Sequence, residues 1–271
     1  MLTPEKAMTA CASAAAAHAA AAEWDQAVQH TVRSLIERLA LANGLAAPEL
    51  PRPHMPDAET ALDEMGPLDG WHLADVGEVH QRLLAHTATR HADGTITVQR
   101  GAGKRFEQGS WYTPPQLATD MCRLTIGPQL DRLAQHPDPG NMLQVLAMDP
   151  ACGAGVFLVE AARLIAGRFA ARVCGMDPAP DVLVRAAMPT VMRECIFGVD
   201  IDPVAIDLAK TAVWIETGGR APFTFMDRNI IVGNALNDEM PPAFSEARGE
   251  PVDNEERREW YAAQRQPEPA T

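Results

Sequence analysis

Between Leu143 and Ile165 an apolar run breaks off at Asp149-Pro150, turns through Ala-Cys-Gly-Ala-Gly and re-emerges as a helical pattern. This stretch restricts the fold more tightly than any other in the chain. Leu143 to Met148 is nearly continuous in apolar residues, which predicts a strand buried on both sheet faces. Val156, Val159, Leu164 and Ile165, set among alanines, predict a helix directly after it. Gly153 and Gly155 therefore fall in a tight strand-to-helix turn, where glycine permits positive φ and lets a ligand approach the backbone. The free N–H groups and positive end of the new helix face that ligand.

Turns of this kind serve dinucleotides, phosphates and S-adenosylmethionine. A dinucleotide fingerprint needs a third glycine three residues after Gly155, where this chain has Leu158, and an acidic residue about 20 positions on. A phosphate-binding loop needs Gly-Lys-Ser/Thr, which is absent. The next strand tipped by an acid comes later, in "CIFGVDIDPVAIDLAKTAVW" (195–214). Cys195 to Val199 reads as a second buried strand ending at Asp200, which can accept hydrogen bonds from two ribose hydroxyls. Asp202-Pro203 supplies an N-cap and a first helical residue, and Asp202 is given no ligand role.

Taken together, "DPACGAGVFL" and "GVDIDPVAIDLAK" resemble motifs I and II of the amino-methylating DNA methyltransferases, above all the adenine-specific group of restriction-modification and phage-defence systems. "GSWYTPPQLATDMCRL" (109–124) resembles motif X, "NIIVGNAL" (229–236) resembles motif III, and "LADVGEVHQRLL" (73–84) resembles the helix that leads into the Tyr-Thr-Pro segment. The resemblance spans roughly residues 70 to 236. Each motif alone is weak, whereas the ordered set is specific. It implies a class I S-adenosylmethionine-dependent methyltransferase sheet, an α/β Rossmann-like fold, preceded by a helical region. It also implies a cofactor pocket: Tyr112 and Thr113 border the methionine end, Asp149 and the turn Ala151, Cys152, Gly153 and Gly155 meet the amino group and ribose, Asp200 takes the ribose hydroxyls, Ile201 the adenine face and Asn234 the adenine edge. The family commonly has a carboxylate at the last position, and a turn role for Asn234 stays open.

The residues also have simpler readings. Thr113, Pro114 and Gln116 fit N-cap, N1 and N3 of a capping box, a helix start that needs no ligand. Gly153 and Gly155 can serve helix–sheet packing alone. One cofactor pocket, however, accounts for all four segments at once.

What the family needs for catalysis is missing. Adenine-methylating members carry Asn/Asp-Pro-Pro-Tyr/Phe after the fourth strand; its polar side chain and proline carbonyl align the exocyclic amine, and its ring stacks on the flipped base. Here the only Pro-Pro after motif III lies in "EMPPAFSEA", with Met240 before it and Ala243 after it. Met240 is a poor acceptor, Ala243 cannot stack and Phe244 is a poor substitute, so no catalytic residue is assigned. From residue 237 nine acids stand against four arginines, which predicts a solvated or weakly helical tail. The chain supplies strands one to three, leaving strand one, central in the family, as an exposed edge. The expected protein is the cofactor-binding half of an adenine methyltransferase, with a second polypeptide providing the catalytic motif and the DNA contact. The alternative is a catalytically silent cofactor-binding or assembly subunit of a restriction-modification or defence complex.

Composition bounds the rest. The chain has 271 residues, enough for one catalytic domain and a helical preface. Residues 1–46 read as a helical segment, in which Val28, Val32, Leu35 and Leu39 recur at helical spacing. Residues 47–60 form a proline-rich linker and 61–126 a helical lead-in with a hairpin-like turn at "HADGTITV". The Rossmann-like half-domain then runs over 127–236 and the acidic tail over 237–271. Five cysteines without a CxxC pair point to reduced thiols in a cytoplasm, and neither they nor the eight histidines show metal-ligand spacing. The alanine-rich stretch at 10–22 lacks a basic leader and is too short to span a bilayer. A net charge of −13 opposes DNA binding by the chain itself. Arg90, Arg100, Lys104 and Arg105 form a local exception, open to reading as a solvated loop or as a phosphate contact.

Overall fold

A computed structural model of the chain describes residues 21–48, 50, 62, 63, 68, 71–93, 96–100, 113–237 and 239–249. Two compact units divide at Thr113/Pro114. The linker at 51–60, Tyr112, Lys104 and Arg105 lie outside the described residues, as do 1–20 and 250–271.

In the first unit α1 (Ala21–Ala42) packs on α2 (Leu73–Leu84). Val28, Val32, Leu35 and Leu39 of α1 are buried, as their spacing predicts. The backbone N–H of His72 donates to Asp75 Oδ2 at 2.7 Å, closing the start of α2. The hairpin expected near residue 93 is present as β1 (His86–Arg90) and β2 (Ile96–Arg100), antiparallel, with Thr87 opposite Gln99 and Thr89 opposite Thr97.

The second unit is α/β. It opens with α3 (Pro115–Thr125) and α4 (Gly127–Leu133), followed by a 3₁₀ turn at Pro139–Gln144. A parallel sheet follows, ordered β3 (Ala147–Asp149), β4 (Ile196–Asp200), β5 (Ile230–Val232), with α5 (Val156–Cys174), α6 (Asp181–Cys195) and α7 (Pro203–Glu216) in the connections. Register sets Asp149 opposite Gly198 and Asp200 opposite Val232, so both strand-tip acids emerge at the same end of the sheet. Leu158 and Ile165 of α5, Met192 of α6, Ile206 and Val213 of α7 and Leu130 of α4 close one core over Ile196 and Ile230. Alternation turns Phe197 to the other face, where its ring meets Phe244 at a centroid distance of 5.2 Å.

Three expectations change. The strand read at Leu143–Met148 begins only at Ala147: Asp138 caps Gly140 N–H at 2.8 Å, and the 3₁₀ turn it starts takes up Leu143 and Gln144. Among the described residues β3 pairs only with β4, so it is an edge strand and half-buried. The helix after the Tyr-Thr-Pro segment starts at Pro115, with Pro114 in the cap position and no side-chain cap bond. A residue preceding proline is driven out of the α region, so Pro115 holds Pro114 at ψ 134° and the Thr113/Gln116 capping box does not form; Gln116 bonds Asp120 instead. Finally, the tail read as solvated or weakly helical begins with a short helix that is partly buried. α8 (Pro242–Ala247) buries Phe244 and Ser245, and Ala243 N–H donates to the Arg228 carbonyl at 3.2 Å.

Candidate functional site

At the carboxyl end of β3 and β4 the chain folds around two carboxylates. Asp149 Oδ1 accepts from Ala151 N–H at 3.1 Å and starts the turn. Asp200 Oδ2 accepts from Gly153 N–H at 2.8 Å, and its Oδ1 from Asp202 N–H at 2.9 Å. The glycine turn and the tip of β4, 47 residues apart in sequence, are thus tied by a single side chain. A carboxylate offers about four lone-pair sites, so Asp200 keeps capacity for a diol. Burial pushes the Asp149 carboxyl above its ordinary value; the Ala151 N–H pulls it down, and the neighbouring Asp200 adds to the rise. Such a group is best matched by a cation.

The two glycines differ in what they do. Gly153 has φ +52°, and a Cβ there would meet nothing within 4 Å, so its missing side chain opens onto free space. Gly155 has φ +84°, and a Cβ there would stand 2.9 Å from Ala209 Cα. Gly155, expected to face a ligand, has a packing role here: its bare backbone lets α5 and α7 touch. Cys152 is likewise engaged in the fold. Its N–H donates to Val199 O at 2.9 Å and its thiol is buried over Gly198, so neither is offered to a ligand. Burial, then Asp149 and Asp200, push that thiol far up, which removes nucleophilicity. Cys122 is pushed up to about 11 and Cys195 to about 12, mainly by burial.

Ala151 is exposed at the turn's outer edge, and no side chain caps the start of α5 at Gly155, which leaves first-turn N–H groups facing the turn. Ile201 is 50 % exposed directly after Asp200, with Val232 52 % exposed at the tip of β5, giving the mouth an apolar lip. Asp202 caps α7 through Val204 N–H at 2.9 Å, the cap role its sequence position predicts. Asn234 is a turn residue: Oδ1 accepts from Leu236 N–H at 3.0 Å and its N–H donates to Glu239 Oε2 at 2.6 Å. That side-chain oxygen is oriented by the turn, which takes one of its two lone pairs. Thr113 is half-buried at the end of the first unit, and Tyr112 is outside the described residues.

No protein-family model matches the chain, and neither a curated protein nor a solved structure matches it.

Sequence reasoning missed two residues that hold the site together. Gly198 sits where a Cβ would be 2.9 Å from Leu158 Cδ1 and 3.0 Å from Cys152 Sγ, so its bare backbone lets the turn settle on β4 without displacing either side chain. Its signal was a glycine inside an apolar strand, a mark of close approach. Asn229, buried at the start of the β5 segment, donates through Nδ2 to Arg193 O at 2.8 Å and Ile196 O at 3.0 Å. Among the described residues no group of three or more His, Cys, Asp or Glu could hold a metal ion, and no helix is long and apolar enough to cross a membrane.

Proposed function

We propose that the chain is the S-adenosylmethionine-binding part of an adenine-specific DNA methyltransferase, working with a second polypeptide that supplies the Asn/Asp-Pro-Pro-Tyr/Phe motif. The observation that carries this is the Asp200 carboxylate bound to Gly153 N–H, which joins the turn resembling motif I to the acid resembling motif II. Ligands of open α/β sheets bind outside the carboxyl ends of the strands, which is where this junction stands. The residues fit the cofactor. Asp200 has lone pairs left for the ribose diol, Asp149 is a partly desolvated carboxylate suited to the methionine ammonium, and Ile201 offers an apolar face to adenine. Leu158, at the third glycine position of a dinucleotide fingerprint, is buried in the core and argues against a nicotinamide cofactor.

When bound, the cofactor supplies an electrophilic methyl group for the exocyclic amine of adenine. This chain's residues would hold and orient it. They offer nothing to align the amine: Phe244, the nearest aromatic to the relic Pro-Pro, is buried against Phe197 and cannot stack on an extruded base. The same burial supports the alternative of a cofactor-binding subunit silent in catalysis.

Calorimetric titration of the full chain, with and without a polypeptide carrying Asn-Pro-Pro-Tyr, tests the proposal. Saturable binding of S-adenosylmethionine is expected. Replacing Asp200 by Ala removes hydrogen bonds to a charged group, each worth about 1.5 to 3 kcal/mol, so affinity falls at least tenfold. Saturable NAD binding without S-adenosylmethionine binding would overturn the assignment.

A further inference from the structure

Beyond the tip of β5 one carboxylate has no part in the site as described so far. Glu239 is half-buried, and the chain from Gly233 to Glu239 doubles back on itself. Asn234 O accepts from Asn237 N–H at 2.8 Å and from Glu239 N–H at 3.4 Å, while Glu239 Oε2 accepts from Asn234 N–H at 2.6 Å. Backbone and side chain of Glu239 thus clasp the same residue. Gly233 makes room for the closure: a Cβ there would stand 3.1 Å from Glu239 Cβ and 3.2 Å from its Oε2, so the glutamate lies across the space that a side chain at 233 would fill. Gly233 N–H in turn donates to Asp200 O at 2.9 Å, which fixes the clasp to the tip of β4.

Each strand of the sheet therefore leads to a carboxylate, in sheet order: Asp149 on β3, Asp200 on β4 and Glu239 past β5. Acids grouped in this way make no site by themselves. What distinguishes Glu239 is its setting. Val232 immediately precedes the clasp, and with Ile201 it forms the apolar lip of the strand-tip mouth, so Glu239 stands at the β5 end of that lip. Asn234 N–H takes one of the carboxylate's roughly four lone-pair sites, and among the described residues no basic side chain pairs with it. An ionised carboxylate accepts and cannot donate. With the methionine ammonium at Asp149 and the ribose at Asp200, the base of the nucleoside runs on toward β5. Neighbouring strands are about 4.8 Å apart. A purine is longer than one such spacing, so its far edge passes Val232 and reaches the clasp.

We infer that Glu239 is the specificity-determining residue for the base of the cofactor, its carboxylate accepting from the exocyclic 6-amino group of adenine while Ile201 and Val232 cover the ring. The sequence assigns this edge to Asn234; in the folded chain Asn234 is the support that aims Glu239. A site built to bond an N–H rejects an analogue that lacks it, because its own polar group is then left without a partner. The inference rests on the proposed S-adenosylmethionine reading and names, within it, the residue that selects the base.

The test is calorimetric titration of the full chain with S-adenosylhomocysteine and with its analogue carrying hydrogen in place of the 6-amino group. The amino form should bind more tightly by about tenfold or more, the gain from one hydrogen bond to a charged acceptor. Glu239→Ala should bind both ligands with the affinity that the parent shows for the analogue, so the preference vanishes while the remaining contacts persist. Because alanine also opens the clasp, Glu239→Gln serves as a second variant. Its amide oxygen still accepts from Asn234 N–H, which keeps the turn, and loss of the charge should reduce the preference by about threefold or more. Asp200→Ala should weaken both ligands alike and leave their ratio unchanged. Equal affinity of the parent for the two ligands, or a preference unaltered in both Glu239 variants, overturns the inference and leaves the cofactor reading standing. Binding of neither ligand overturns the cofactor reading, and the inference falls with it.

Discussion

At Gly153 and Gly155 two glycines two positions apart separate ligand access from packing. Alanine at Gly153 adopts a left-handed φ, a strain of about 1 to 2 kcal/mol, but meets no atom within 4 Å. Gly153→Ala should therefore fold, with little loss of thermal stability, and lose S-adenosylmethionine affinity because its methyl group enters the open turn. Alanine at Gly155 pays the same strain and also drives a carbon into Ala209 backbone, where overpacking adds about 1 to 3 kcal/mol. Gly155→Ala should lower the urea midpoint markedly, and a variant as stable as the parent but unable to bind would restore Gly155 as a ligand-facing residue. Asp149 makes a second prediction. Its folded-state pKa is raised, so its contribution to stability belongs to the protonated form, is fully present below the ordinary carboxylate range and is lost as pH rises through the raised value. A bound ammonium favours the ionised form. Cofactor affinity should accordingly increase as pH rises through that range, with a proton released on binding, measurable by calorimetry in buffers of different ionisation enthalpy. Asp149→Asn should flatten the pH dependence, and a flat profile in the unaltered chain would take the ammonium away from Asp149.

Elements are joined here by asparagines of unequal weight. Asn229 Nδ2 links the end of α6 and the first residue of β4 to the β5 segment from a buried position. Asn229→Ala leaves the buried Ile196 carbonyl and the part-buried Arg193 carbonyl without that donor and should cost about 1 to 3 kcal/mol. Asn234→Ala removes one bond from a short exposed turn and should shift the urea midpoint far less; equal losses would mean the β5 segment is held by its turn and not by the Asn229 clamp. The contrast also shows where sequence stops being informative. β4, α7 and the glycine turn were legible because each is announced locally, by an apolar run, an Asp-Pro start or paired glycines. Asn229 and Asn234 look alike in sequence, and only the approach of α6, 36 residues away, distinguishes them. Gly155 was readable as a turn glycine, but its neighbour Ala209 belongs to another helix. α3 was located correctly and started one residue early, because Pro114-Pro115 admits only the second proline to the helix. Phe244 was hidden by composition: the acids around it predict solvent, whereas its ring finds Phe197 across the sheet.

For the molecule as a whole, the proposed function leads to one expectation from the three-stranded sheet among the described residues and from a sequence without Asn/Asp-Pro-Pro-Tyr/Phe: the chain alone transfers no methyl group. Among the described residues β3 ends the sheet with one edge unpaired, and the two side chains nearest in sequence to the place of the missing motif are engaged elsewhere: Asn234 Oδ1 in its turn and Phe244 in the core. Alignment of reacting groups supplies about 7 to 11 kcal/mol of barrier reduction in the most favourable cases, and each 1.36 kcal/mol, roughly, is tenfold in rate. Turnover without it should lie below detection even with cofactor bound. The net charge of −13 adds to the deficit by weakening DNA binding at physiological salt. Purified chain incubated with labelled S-adenosylmethionine and adenine-rich duplex should incorporate no label, and addition of a polypeptide bearing Asn-Pro-Pro-Tyr should restore incorporation that Gly153→Ala then abolishes. Label transferred by the chain alone, and lost in Gly153→Ala, would refute the half-enzyme. Failure of every such partner to restore activity, with cofactor binding intact, would instead leave the silent subunit as the function of this fold.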